Sequence, residues 1–573
     1  MSRFFLHISR NFPFSAKESA LLDFNDVQDT FNEVDAPVWH RCHDEGATLL
    51  IGGHDQSIFV EKCSFCTGTL FDSTSPDNFS SQAESGFATL IVSCQEDAIQ
   101  VSSNLVAGRS VWYYFDDSRF ILSSSQRAIV RFLGSFHFNE QAMVWMLATG
   151  NLGPGNSWDK RIFHLDANRK LHLDRHKWHL TAADASELDN EAVGDSFPVA
   201  LASLDSLLNE VFSKVAYNGS RDLLALSGGN DSRLVLNKMN AFHKGLDTVT
   251  WGLSSARFEK DTDAFVASAV AKSYGVENLY YETDFQPRDF TKLIDNFLLS
   301  GEGRLDHINA FMDGLMMWRN LSSGSYRVIY RADEVFGWLP CSSEKDVRIS
   351  LDFHYMEDNS NMISLQKFGF PGQKYPPELA RKTGETISSW RDRLYRSFRL
   401  PVVLTALHDV NSSYMEVFNP LLHDSLIRFC MKLPDGYRTH KKLYSNYMGR
   451  ISSSIPIARK SSIPEPAAIL RSSRFVSFIL DEFHFNDCRN LFGDRFLQWI
   501  EANLEVDDEL INRTNDSFLV WVKSMVPWKL KKILRRDFVQ YQSDFNQLAF
   551  RVFIISRMKR LFDKDALTKN LKN

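Results

Sequence analysis

Cysteine is scarce in this chain: seven in 573 residues, an odd number at irregular spacings. That excludes the disulfide framework of a small secreted domain, and a reducing compartment is expected. Long apolar runs are lacking as well. None approaches the roughly 20 residues that span a bilayer, and the opening MSRFFLHISRNFPF has no apolar core leading to a small-residue cleavage site. Neither a membrane span nor a signal peptide is therefore expected. Surplus positive charge is missing too. Lys and Arg number 65 against 71 Asp and Glu, a formal net charge of −6, which argues against wholesale phosphate-backbone binding. These absences leave a soluble, cytoplasmic protein with no nucleic-acid or membrane partner as the expectation. What is present suits ordinary cores: 44% hydrophobic and 24% charged residues, in a chain long enough for two or three domains.

Two regimes of pattern follow one another. Up to about residue 180 short β-type runs dominate, among them ATLIVSC (88–94), AIQVSS (98–103), SVWYYF (110–115) and RFILSS (119–124). QRAIVRFLG and NEQAMVWMLATG read as helices between them and a final strand-like run, RKLHLDRHKWHL. The acidic, apolar-poor segment 181–196 reads as a linker. From residue 222 strands and helices alternate: DLLAL, then DSRLVLNKMNAFHKG, DTVTWGL, DTDAFVASAVAKSYG, ENLYYE and later YRVIYR (326–331). Alternation of this kind predicts a parallel sheet covered by helices. In the first of those helices Leu234, Val235, Met239 and Phe242 are expected to share the buried face, with Gly245 as its stop. Beyond about residue 345 the pattern is mostly helical.

The most informative stretch is LLALSGGNDSRLVL (223–236). An apolar strand breaks at Ser227, Gly228 and Gly229, and Asp231 and Ser232 open a helix. In a parallel open sheet the ligand sits beyond the carboxyl ends of the strands. Glycines let backbone N–H groups curl inward, and with the helix N-terminus they form an anion site. A carboxylate placed there repels phosphate unless a cation bridges them, so Asp231 implies Mg²⁺. The Walker A pattern is absent. YRADEVFGW (330–338) supplies Asp333 and Glu334 at the end of another predicted strand, and carboxylates converging from two strand ends suit Mg²⁺ on a triphosphate.

Ser-Gly-Gly-Asn-Asp-Ser resembles the pyrophosphate loop of ATP-pyrophosphatase-type enzymes. Together with YRADEVFGW, MEVFNPLLHD (415–424), HKKLYSNYM (440–448), SIPIARKSSIPEP (454–466), NLVAGRSVWYY and RFILSSSQRAIVRFL, it resembles the asparagine synthetase family, which includes β-lactam synthetases and lasso-peptide cyclases. The resemblance implies an α/β chain in two parts. Residues 1–185 would form an Ntn-hydrolase-like antiparallel β-sandwich with helices, a degenerate glutaminase-like domain. Residues 197–573 would form a parallel-sheet α/β ATP-pyrophosphatase domain, adenine-nucleotide-alpha-hydrolase-like, with a helical C-terminal extension.

The roles it implies are these. Leu226 and Trp251 contact adenine, largely by backbone; Ser227, Gly228, Gly229, Asp231 and Ser232 hold ATP; Asp231 and Asp333 bind Mg²⁺. Lys460 matches the family's late lysine, with Arg459 as the alternative, and stabilises charge at the acyl carbon and pyrophosphate. Lys441 binds the α-phosphate, Glu416 orients the base or the amine, and Tyr330 deprotonates the amine, as a tyrosine does at that place in β-lactam synthetases. Residues 340–410 line the acceptor pocket, reshaped by Arg331 in place of a family glycine. Ser2 stands where glutamine-dependent members have cysteine, and a serine hydroxyl is a far poorer nucleophile at neutral pH. Glutaminase activity is therefore not expected.

The expected activity is ATP-dependent amide formation through adenylation of a small-molecule or peptide carboxylate and capture by an amine acceptor, favoured narrowly as ring closure, with a partner protein from a biosynthetic cluster possible. Asparagine synthesis from ammonia or glutamine, and a non-catalytic nucleotide-binding scaffold, are the alternatives. Two further signals stand apart. His40, Cys42, His43, Cys63 and Cys66 hold either zinc or nothing but buried thiols. KLKKILRRDF (529–538) is a solvated basic face or a dock for an acidic partner.

Overall fold

The computed structural model describes residues 3–10, 24–32, 39–44, 46–53, 59–70, 86–185, 194–215, 217, 219–283, 290–308, 314–324, 326–451, 455–508 and 541–568. Ser2 and the basic segment 529–538 lie outside the described residues. The architecture is mixed α/β, with two antiparallel sheets, one parallel sheet and many helices.

Twelve strands occupy the N-terminal part: β1 (Arg3–Ser9), β2 (Trp39–Asp44), β3 (Ala47–Gly52), β4 (Phe59–Glu61), β5 (Ser64–Leu70), β6 (Gly86–Cys94), β7 (Ala98–Ser103), β8 (Trp112–Phe115), β9 (Arg119–Ser123), β10 (Phe163–His164), β11 (Arg169–Asp174) and β12 (His179–Asp184). They form two six-stranded sheets in the orders β10-β8-β9-β1-β3-β2 and β12-β11-β7-β6-β5-β4. Side chains alternate across a strand, and β1 uses both faces. Phe4, Leu6 and Ile8 enter the core between the sheets, where Phe65, Val92, Val101 and Leu171 meet them. Phe5 points the other way, into a helical core with Ile129, Met143 and Phe553. The expected linker is partly strand, since Thr181–Asp184 pair with β11.

The second part carries β13 (Asp222–Ala225), β14 (Asp247–Gly252), β15 (Asn278–Glu282), β16 (Val328–Tyr330) and β17 (Glu416–Phe418). Every adjacent pair is parallel, and the order is β15-β14-β13-β16-β17. The chain winds outward from β13 in one direction through β14 and β15, then returns to the other side of β13 with β16 and β17. β13 thus stands at a topological switch point, where a crevice opens at the carboxyl edge. β17 was not legible in the pattern, being three residues long inside a helical stretch.

Helix Asn230–Phe242 follows β13 as expected, with Leu234, Val235 and Met239 fully buried. Two expectations fail at its end. Phe242 is 42% exposed, and the helix stops at His243, in extended conformation (φ −134°). Gly245, at φ +85°, instead turns the chain toward β14.

The last helix, Phe545–Thr568, returns to the N-terminal part. Asp565, fully buried, accepts from Arg127 Nε at 2.7 Å and Arg131 Nη2 at 2.6 Å. Arg551 Nε reaches Asp306 Oδ2 at 2.5 Å and donates to the Leu147 and Ala148 carbonyls. Gly150, at φ +77°, lies where a Cβ would strike the Asp306 carboxylate at 2.2 Å, so glycine is needed there for both reasons. No described helix is long and apolar enough to cross a membrane.

Candidate functional site

The loop between β13 and the helix Asn230–Phe242 is held by its own side chains. Ser232 Oγ accepts from the Ser227 N–H at 3.1 Å and lies 3.1 Å from Ser227 Oγ, while the Gly229 N–H donates to Ser227 Oγ at 3.2 Å. The Gly228 N–H donates to Asp263 Oδ1 at 3.0 Å. Asp263 stands in the first turn of the next helix, Asp263–Tyr274. Burial raises its pKa, and the Gly228 bond only partly offsets that. Both glycine amides therefore have acceptors already, rather than standing open as the sequence led us to expect.

The segment 455–463 closes over this loop. Arg233, buried, donates to the carbonyls of Ile455 (2.5 Å), Pro456 (2.6 Å) and Gly228 (3.2 Å). The Ala458 N–H donates to Gly228 O at 3.0 Å, and the Leu253 N–H to Ser462 O at 2.8 Å. At Gly228 a Cβ would meet the Ala458 Cβ at 2.3 Å, so only glycine permits this approach.

A cavity of about 300 Å³ opens at the carboxyl edge of the sheet. Ser227, Asp231 and Ser232 line it from the loop after β13, Arg331 and Asp333 from the segment after β16. Leu226, Trp251, Asp263, Ser461 and Ser462 complete its walls. The two motifs, about a hundred residues apart in sequence, thus meet across the switch point.

Asp333 Oδ2 accepts from His408 Nε2 at 3.1 Å and Asn419 Nδ2 at 2.9 Å. Burial pushes its pKa up, but the His408 bond, Arg331 and the Asn419 bond outweigh it and hold the carboxyl at about 2. Both of these bonds fall on Oδ2, leaving Oδ1 for a ligand. Asp231 Oδ1 is buried without a hydrogen-bond partner. Its Oδ2 lies 3.4 Å from Lys441 Nζ, which also sits 2.7 Å from Glu334 Oε1. Burial opposes the charge on Lys441, yet Glu334 and Asp231 raise its pKa. Glu334 is raised chiefly by burial and by Asp231, against the pull of Lys441.

These residues fit Mg²⁺. The ion commonly takes one or two carboxylates and completes its shell with phosphate oxygens and water, and Asp231 and Asp333 each keep one oxygen available. Among the described residues no group of three or more His, Cys, Asp or Glu is placed to hold a metal by itself. That removes support for zinc at His40, Cys42, His43, Cys63 and Cys66. The thiols of Cys63 and Cys66 are buried, and burial raises both pKa values, that of Cys66 to about 11.

Several expected residues lie elsewhere. Tyr330 is 1% exposed in the sheet core, edge-on to Phe418 at 5.3 Å, and donates to Asp222 Oδ2 at 3.0 Å. Burial and Asp222 raise its pKa, the opposite of what a general base for an amine requires. Glu416 begins β17 opposite Val328, at the amino end of the sheet, and accepts from Thr69 Oγ1 at 2.8 Å. Lys460 extends to Glu259 Oε1 at 2.5 Å, and the next residues, Ser461 and Ser462, reach the cavity in its place. Lys441 bridges Asp231 and Glu334.

Leu226 and Trp251 do line the cavity, but the Leu226 N–H is used by Val249 O (2.9 Å) and its carbonyl by Thr250 Oγ1 (2.7 Å). Reading by the Leu226 backbone is thereby restricted. Part of 340–410 forms a smaller cavity of about 20 Å³ behind Glu334, lined by Leu351, Arg391, Tyr395 and Arg396. Asp263, His408, Asn419, Ser461 and Ser462 were missed. Asp263 opens a helix, His408 lies inside one, and Ser461 and Ser462 belong to no helix or strand; only Asn419, directly after the short strand Glu416–Phe418, carries a positional signal.

Comparison with known proteins adds little. No family model matches the chain, and no curated protein does. A solved structure titled "Structure of the allosteric regulatory enzyme of purine biosynthesis" is similar over 49% of this chain and 80% of that chain, at 8% identity and a TM-score of 0.21. A likeness at that score carries no argument.

Proposed function

We propose that the protein is an ATP- and Mg²⁺-dependent ligase of asparagine synthetase type, which adenylates a substrate carboxylate and couples it to an amine. In this reading the parallel sheet belongs to an ATP-pyrophosphatase domain, and the antiparallel sandwich is an Ntn-like domain without glutaminase activity. One observation carries the proposal: Asp231, in the first turn of the helix after β13, and Asp333, in the segment after β16, line one cavity of about 300 Å³ with Ser227, Ser232 and Arg331. That volume is at the lower end of what small-molecule sites offer.

The hydroxyls of Ser227 and Ser232 and the N-terminus of helix Asn230–Phe242 face the β and γ phosphates. The Arg331 guanidinium, which makes no side-chain hydrogen bond with the described residues, adds charge for the triphosphate. Trp251 and Leu226 flank the adenine. Mg²⁺, held by Asp231 and Asp333, supplies charge neutralisation of the triphosphate. A substrate carboxylate oxygen attacks the α-phosphorus, the bond to the bridging oxygen breaks, and pyrophosphate leaves. The amine nitrogen then attacks the acyl carbon, its proton passes to solvent water, and the acyl C–O bond breaks to release AMP. Adenylation matters because a carboxylate is a poor electrophile and its mixed anhydride a good one. The protein contributes alignment and fixed charge. Tyr330 has no part in this scheme.

Carboxylate-dependent ATP–pyrophosphate exchange tests the reading. Exchange with at least one carboxylate, lost in Asp231→Ala and Asp333→Ala, is expected. No exchange with any substrate offered, together with unchanged ATP binding in both variants, contradicts it. The placement of Tyr330, Glu416 and Lys460 outside the cavity favours one alternative, a nucleotide-binding protein without turnover. Tight ATP binding with no AMP formed would select it.

A further inference from the structure

Asp333 is held by two side chains whose hydrogen bonds go nowhere else among the described residues. His408, on the helix Thr405–Ser412, donates from Nε2 to Asp333 Oδ2 at 3.1 Å, and Asn419, directly after β17, donates from Nδ2 to the same oxygen at 2.9 Å. An ionised carboxylate only accepts, which fixes the donor role of both. Both residues are buried. The second polar atom of each, His408 Nδ1 and Asn419 Oδ1, is buried without a hydrogen-bond partner among the described residues. Buried polar atoms are rarely left so, and two of them beside one carboxylate mark a place where stability yields to position.

Both supports lean on the sandwich. Phe87 of β6, fully buried, packs edge-on against the His408 ring, with centroids 5.8 Å apart, and against Phe418, the residue before Asn419, at 6.1 Å. A single aromatic from an antiparallel sheet thus backs both donors. The β5–β6 pairing explains how it arrives there. Its register shifts between Thr67 and Thr69, and such a bulge bends a strand and re-aims its side chains. Beyond the shift Thr69 and Phe87 stand opposite each other, and both reach β17: Thr69 Oγ1 donates to Glu416 at its start, and Phe87 meets Phe418 at its end. The helix that carries His408 is tied to the same part of the chain on either side of that residue. Thr405 Oγ1 donates to the Ala107 carbonyl at 3.0 Å, and Asp409 Oδ2 accepts from the Ser110 N–H at 3.3 Å.

We propose that Phe87, His408 and Asn419 are positioning residues for the metal carboxylate, and that the sandwich serves the site by holding Asp333 with Oδ1 left for the cation. The inference rests on the reading of Asp333 as a Mg²⁺ ligand. It gives the sandwich a function that needs no glutaminase chemistry, and it places Glu416 in the support of the site.

The test reads cation binding instead of turnover. Calorimetric titration of the full-length protein with a non-hydrolysable ATP analogue is run with Mg²⁺ and again with chelator, and the ratio of the two affinities is the readout. His408→Phe and Asn419→Leu are expected to lower that ratio by about tenfold or more, the usual cost of losing an outer partner of a metal ligand. Phe87→Leu is expected to lower it several-fold, and His408→Gln, which keeps an N–H donor, to stay near the parent. Phe65→Leu, buried between the two antiparallel sheets, should lower the melting temperature and leave the ratio unchanged. In an Asp333→Ala background Phe87→Leu should change the ratio no further, because the ligand it positions is gone. Should His408→Phe not fold, Asn419→Leu and Phe87→Leu decide. A parent ratio of one contradicts the Mg²⁺ reading and this inference together. A parent ratio well above one that His408→Phe, Asn419→Leu and Phe87→Leu leave unchanged overturns the inference alone, as does an equal fall in Phe65→Leu.

Discussion

Gly228→Ala is the sharpest probe of how the loop after β13 is built. The added Cβ would lie 2.3 Å from the Ala458 Cβ, 3.1 Å from Asp263 Oδ1 and 3.2 Å from the Val266 Cβ. Carbon atoms in contact sit at about 3.5–4.0 Å, so the loop and the segment over it must part by more than 1 Å, on the order of the difference between those distances. Neither yields easily, because Arg233 and the Ala458 N–H tie both to the Gly228 carbonyl. Overpacking of this kind costs about 1–3 kcal/mol. If the strain is relieved by opening the loop, the proposed function predicts that ATP affinity falls by roughly 5- to 150-fold. Ala458→Gly removes the principal clash, since the other two neighbours need yield only a few tenths of an ångström. The double variant Gly228→Ala/Ala458→Gly should regain most of the loss, a coupling of about 1–2 kcal/mol. Denaturant unfolding and calorimetric titration with Mg-ATP measure both quantities. The reasoning is refuted if Gly228→Ala matches the parent in stability and affinity, or if Ala458→Gly restores nothing.

Other perturbations have definite expected outcomes. Lys441→Met leaves Glu334 and Asp231 without the cation between them, so Glu334 should take up a proton at neutral pH. Proton uptake on unfolding should change accordingly, and potentiometric difference titration reads it. Arg551→Met breaks the buried pair with Asp306 and should cost about 3–5 kcal/mol in denaturant unfolding. The same pair sets an acid limb. Burial works against Asp306, but Arg551 and then His307 hold its pKa at about 2, below its unfolded value of roughly 3.9. Its contribution is therefore complete above pH ~4 and lost as pH falls toward 2. Circular dichroism against pH should show Arg551→Met unfolding at higher pH than the parent. Asp565→Asn withdraws the charge shared by Arg127 and Arg131 and should destabilise by about 3–5 kcal/mol, with amide exchange quickening first in the last helix.

Much of this site was legible in the chain because two local signals coincide with topology. Ser227–Ser232 combines a strand end, two glycines and a helix start, and that combination has few uses. Asp333 follows an apolar strand by three residues, far enough to leave the sheet and reach its carboxyl edge. Tyr330 shows the limit of such reading. As the last residue of β16 it still belongs to the sheet face, and its phenol lies back along β13 to Asp222. Glu416 fails for the converse reason, since it opens its strand instead of closing it. Strand direction relative to the cavity, which no motif encodes, decides both cases. Asp263 and His408 could not be found at all, because an acidic helix start and a helical histidine are common and their partners are brought near only by the fold. The return of the last helix onto Arg127 and Arg131 was equally hidden, since it depends on a pairing more than 400 residues apart in sequence.

The central claim is that the loop after β13 and the carboxylate after β16 face one Mg-triphosphate. A crystal structure of the full chain with Mg²⁺ and a non-hydrolysable ATP analogue tests it most directly. The account predicts the triphosphate against Ser227–Ser232, with a cation bridging it to Asp231 and Asp333. A nucleotide bound away from that cavity, or a cation touching neither aspartate, would contradict it.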